Sequence, residues 1–80
     1  MTVKDAVVDR LKTLCKEKGI SPNELANISG ITPSTVYSLL DQRRRDVSII
    51  TIKKLCDGLE ITLGAFFSTP EFDSLEQEIV

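Results

Sequence analysis

Eighty residues with 41% apolar and 28% charged side chains, and neither histidine nor tryptophan, fit one small globular domain with room for a single core. No apolar run nears the roughly 18 residues of a membrane span, and charges from Lys4 onward leave no place for the apolar stretch of a secretion signal, so a cytoplasmic protein is expected. The net charge of −2 divides into +4 over residues 1–54 and −6 over residues 55–80, so a basic surface beside an acidic end leaves a nucleic-acid partner open.

From Val3 to Lys18 the apolar residues Val7, Val8, Leu11, Leu14 and Cys15 recur at spacings of three and four, which predicts a helix with one buried face. Gly19 follows the last periodic position, where a residue free to take positive φ ends a helix. The second helix opens on Ser21 as N-cap, Pro22 at the first helical position and Glu24 three residues after the cap. Leu25 and Ile28 give it an apolar face, Ala26 leaves room for another backbone, and Gly30 ends it. Thr32 and Pro33 start a third helix at once, so the two must cross steeply. Val36, Leu39 and Leu40 point to the core, while Ser34, Thr35, Tyr37, Ser38 and Asp41 lie on or near the outer face. A charged loop, "QRRRDV", leads to a fourth helix from Ser48 with Ile49, Ile52, Leu55, Cys56 and Leu59 on one side. Thr62 caps a short fifth helix, and Pro70 stops its continuation.

These elements predict an all-α fold of five short helices, with a domain over residues 1–69 and an acidic tail over 70–80. The tail carries Phe72, Leu75, Ile79 and Val80 and is compatible with a frayed helix, a dimer arm or a disordered segment. Cys15 and Cys56 fall on apolar stripes without a CxxC pair, which favours reduced core residues over a metal site, with a disulfide between them the lesser option. Catalysis is not expected. The chain has no histidine, no plausible metal set, no phosphate-cradling glycine loop and no base to activate Ser34 or Ser38. No cofactor is expected either.

The segment "SPNELANISGITPSTVYSLLDQ" resembles the helix-turn-helix of the phage repressor and Cro-type (Xre) transcriptional regulators, and the resemblance extends over roughly residues 4 to 68. Each motif position has a steric reason. Ala26 sits where the two helices touch, Gly30 takes the turn, and Ile31, Val36 and Leu39 fill the angle between the helices. The resemblance implies a lambda-repressor-like, sequence-specific DNA-binding transcriptional regulator, with a repressor the expected form and the sign of regulation left open by the sequence. It also implies that the helix beginning at Thr32 and Pro33 enters the major groove of double-stranded DNA. The positions that read bases would then be Thr32, Pro33, Ser34, Thr35, Tyr37 and Ser38, with Tyr37 equally able to fold its ring over the core. Phosphate contacts would fall to Asn23, Asn27, Arg43, Arg44 and Arg45. Relatives commonly have Gln at the position of Pro22, and often an Arg and Glu pair at the positions of Cys15 and Leu40, here exchanged for packing.

Relatives bind as dimers with reading helices about 34 Å apart, and a homodimer is expected here through the region of Phe67 and Phe72. A different function class is the alternative: the same scaffold as a protein-interaction module, or an antitoxin-like partner, whose acidic tail engages a basic protein.

Overall fold

The computed structural model describes residues 1–41 and 43–79; Gln42 of the arginine loop and Val80, one of the tail's apolar residues, lie outside the described residues. Six helices follow one another among the described residues: α1 (Val3–Lys18), α2 (Pro22–Ser29), α3 (Pro33–Leu40), α4 (Ile49–Leu59), α5 (Leu63–Phe67) and α6 (Pro70–Asp73). There is no strand among them, and no helix is long and apolar enough to cross a membrane.

Local chemistry fixes the ends of these helices. Thr2 and Asp5 form a reciprocal capping box at the start of α1, as do Ser21 and Glu24 at the start of α2. Thr32 and Thr62 each accept the backbone N–H three residues on, Thr35 and Ala65 respectively. Gly19 and Gly30 close α1 and α2 with φ of 65° and 68°, the left-handed conformation that favours glycine. Glu60 ends α4 in the same way at φ 60° despite its side chain.

The core gathers Val7, Leu11 and Leu14 of α1, Leu25 and Ala26 of α2, Val36 and Leu39 of α3, Ile52, Leu55, Cys56 and Leu59 of α4, and Phe66 of α5. At their crossing α2 and α4 approach so closely that a Cβ on Gly58 would lie 2.9 Å from the carbonyl oxygen of Ile28 and would collide with the Ser29 hydroxyl. A glycine is needed there for space, and its cost of ~1 kcal/mol inside a helix is offset by the close contact. Because α2 packs against both α4 and α3, this contact also sets the seat of the helix pair that carries the outer polar face.

Three expectations are corrected. The described residues form six helices rather than five: Pro70 stops α5 but also serves as the first residue of α6, a position that needs no N–H. Ile28, assigned to the apolar face of α2, is 49% exposed, because Leu25, Ala26 and Ser29 fill the space toward the neighbouring helices and Ile28 falls about 100° round from Ser29. Ile49 is 55% exposed, since α4 begins with it and the core is reached only a turn later, at Ile52. The two cysteines are free thiols, Cys56 buried and Cys15 half-buried; burial pushes both thiols up, which keeps them protonated and unreactive at neutral pH.

Candidate nucleic-acid interface

Helix α3 is amphipathic in the sense the sequence predicts. Val36 and Leu39 are buried, while Thr32, Pro33, Ser34, Thr35 and Tyr37 are exposed and Ser38 is half-exposed. Tyr37 does not fold over the core; the residue is 53% exposed and stands on the outer face. The hydroxyls at the head of the helix are joined. The Oγ1 of Thr32 lies 3.1 Å from the Oγ of Ser34 and 2.9 Å from the Oγ1 of Thr35, and also accepts the Thr35 N–H. Thr32 therefore serves the cap and also joins the hydroxyls of Ser34 and Thr35, so the three form one small hydrogen-bonded group at this end of the helix.

Asn23 and Asn27 are both exposed on α2, one turn apart. The three arginines of the loop after α3 are all exposed but differ in their partners. Arg43 grips Asp41 with two parallel bonds, Nε to Oδ1 at 3.1 Å and Nη2 to Oδ2 at 3.0 Å, while its backbone N–H donates to the same carboxylate. Arg45 lies 4.0 Å from Glu78 in the acidic tail, and among the described residues Arg44 joins no ion pair. Sequence reasoning treats the three arginines as equivalent; the structure leaves Arg45 at the outer limit of an ion pair with Glu78, whereas it sets Arg43 apart by its close two-bond grip on a carboxylate.

The same pair makes a pH prediction. The Arg43 guanidinium and backbone N–H hold the Asp41 carboxyl at about 2, below the ordinary aspartate value of 3.8. Because the folded acid has the lower pKa, the unfolded chain binds more protons between the two values. The pair's contribution is then complete above the unfolded value and lost as pH falls through about 2. Followed by carboxyl-carbon NMR, Asp41 should titrate near 2 in the native protein and move up toward the ordinary range in Arg43→Ala, without reaching it because the backbone N–H at position 43 still donates to the carboxylate.

Lys4, to which the sequence assigns no role, also reaches this loop. It is one of the few polar residues buried in the domain, and its Nζ donates to the carbonyl oxygens of Asp41 and Arg44 at 3.0 and 2.7 Å. Cys15 and Leu40 line a mainly apolar depression with Leu11, Ile20, Pro22 and Leu25, flanked by Lys12 and Lys16, where the resemblance leads one to look for an ion pair. Phe67 and Phe72, assigned to a partner surface, are half-buried and pack edge to face with ring centroids 4.9 Å apart; both also contact Phe66. Among the described residues no group of three or more potential metal ligands comes together.

Comparison with known proteins bears on this arrangement. Residues 10–71 match the profile of the Cro/C1-type HTH DNA-binding domain. The HTH-type transcriptional regulator PuuR of Escherichia coli (strain K12) is 31% identical over 71 residues, covering 89% of this chain, and its counterpart in Shigella flexneri matches to the same extent. The chain spans 38% of the length of these curated relatives. Among solved structures, the prophage Lp1 protein 11 superposes with a TM-score of 0.83 at 28% identity, covering 94% of this chain and 99% of that one.

Proposed function

Since the chain belongs to the family of Cro/C1-type helix-turn-helix DNA-binding domains, we propose that it is a sequence-specific transcriptional regulator, a repressor, that lays α3 in the major groove of duplex DNA. The observation that carries this is the exposed face of α3, where Ser34, Thr35 and Tyr37 stand outward while Val36 and Leu39 anchor the other side, with the exposed Arg43, Arg44 and Arg45 following its C-terminal end. A helix so placed brings its first turn to the base edges, and a basic loop at its far end is suited to the phosphates.

The chemistry of the face sets the kind of recognition. Forked side chains, Arg on guanine or Asn and Gln on adenine, are each worth about 1–3 kcal/mol of discrimination, and the positions Thr32, Pro33, Ser34, Thr35, Tyr37 and Ser38 supply none. Hydroxyls tolerate several bases, a threonine methyl packs on thymine, and Pro33 offers only shape. Direct readout is therefore modest, and water and the sequence-dependent deformability of the duplex supply the rest. On the DNA, two copies related by a two-fold axis would set their α3 helices about 34 Å apart, with the uncovered edges of Phe67 and Phe72 the surface assigned to the partner.

Fluorescence anisotropy with a pool of mixed duplexes tests the proposal. Binding at about 50 mM salt that weakens steeply toward about 200 mM is expected of a protein that releases counterions from several phosphates. No binding even at the lower salt would overturn it.

A further inference from the structure

A lysine is almost never fully buried without a partner, since removing an ammonium from water is costly unless hydrogen bonds compensate it. Lys4 is 3% exposed. No ion pair found among the described residues includes it. Its ammonium instead sits on two backbone carbonyls, those of Asp41 and Arg44, 37 and 40 residues away in sequence. The Asp41 carbonyl also accepts the Arg44 N–H at 3.1 Å, so Lys4 fastens both ends of a closed turn. Asp41 is the residue that ends α3, and a cation at a helix C-terminus is favoured by the unpaired carbonyls there.

We propose that Lys4 is a positioning residue for DNA binding: it holds the backbone at Asp41 and at Arg44 so that Arg44 and Arg45 present their guanidinium groups to the phosphates. The inference rests on the DNA-binding function proposed above. Buried as it is, Lys4 does not itself reach a duplex, and its influence on binding passes through the loop. A loop held in one conformation loses less conformational entropy on binding than a loose one, and the gain appears as affinity without a new contact.

Lys4→Met keeps the unbranched stem and removes the ammonium. Limited trypsin digestion reads the loop without DNA, because Arg43, Arg44 and Arg45 are themselves cleavage sites. Cleavage there is expected to accelerate at least about tenfold, as local opening becomes easier, with helix content by circular dichroism unchanged. Unchanged cleavage overturns the inference. On mixed duplex DNA, Lys4→Met should weaken binding about five- to tenfold, but less than about twofold when Arg44→Ala and Arg45→Ala are already present. An equal loss in both backgrounds would mark a long-range charge effect and overturn the positioning role. If the unmodified protein bound no DNA while Lys4→Met still loosened the loop, the functional reading would fail and the strut alone would stand. Should Lys4→Met not fold, the native protein decides. The Lys4 ammonium, detected by ¹⁵N NMR, should resist exchange with water when those of exposed lysines do not, and rapid exchange would overturn the inference.

Discussion

Replacing Phe66 with alanine is expected to lower the stability of the domain by about 3–5 kcal/mol. The ring is fully buried at the junction of α1, α4 and α5, with Phe67 against it at 4.9 Å and Phe72 at 6.1 Å. Its removal takes out the largest fully buried side chain among the described residues and leaves a cavity that the short α5 cannot close alone. Two further supports are attached to the same spot. Arg10 of α1 donates from Nε to the Phe66 carbonyl at 2.9 Å and from Nη2 to the Ala65 carbonyl at 3.0 Å, which caps α5 and pins it to α1. At about 0.05–0.15 kcal/mol per residue, a domain of 80 residues has roughly 4–12 kcal/mol in all, so the substitution removes a large share. A melting temperature lower by more than about 12 °C is expected from the low end of that loss, and a shift under about 4 °C would show that the aromatic cluster is not the keystone of α5 and α6. Phe67→Ala should cost less, because that ring is only half-buried.

What the sequence made legible, and what it did not, follows from the range of the interactions. The ends of α1, α2, α3 and α5 were readable because their devices are local: Gly19 and Gly30 in the left-handed conformation, Glu24 reaching back to Ser21, Thr32 and Thr62 on the third amide beyond. The outer face of α3 followed from periodicity alone. Helix α6 is only one of three options in the sequence, because a proline after α5 fits a stop as well as a first helical residue, and the packing of Phe72 on Phe66 and Phe67 distinguishes them. Ile28 and Ile49 sit at the margins of apolar stripes, where the width of the buried face depends on neighbours that periodicity does not specify. Lys4 is the clearest case. Between Val3 and Asp5 it reads as an ordinary surface charge, and its burial is decided by carbonyls on the far side of the chain. The unequal standing of the three arginines was likewise invisible until Asp41 was seen to hold Arg43.

That inequality makes the arginine loop the most informative place to change the proposed interface. Substituting Arg43, Arg44 and Arg45 together by alanine should weaken binding about ten- to a hundredfold at low salt. The loss should be about the same on every duplex, because phosphate contacts carry no base information. Removing one phosphate contact should also flatten the dependence of log affinity on log salt by about 0.9. Within the triple change, Arg44→Ala with Arg45→Ala is expected to account for most of both effects. Arg43 and Asp41 form a neutral pair at neutral pH, with Asp41 charged far above its pKa of about 2. Changing both members, Arg43→Gln with Asp41→Asn, leaves the charge facing the duplex the same and should move the salt slope little. Arg43→Ala alone is different, for it leaves the Asp41 carboxylate uncompensated beside the phosphates, and repulsion should weaken binding by more than the double change does. Anisotropy titrations of these variants at two salt concentrations give the slopes directly. If the triple variant bound like the native protein, phosphate contact by this loop would be excluded; if single arginine substitutions had strongly duplex-dependent effects, the loop would be reading bases and the division of labour between it and α3 would have to be redrawn.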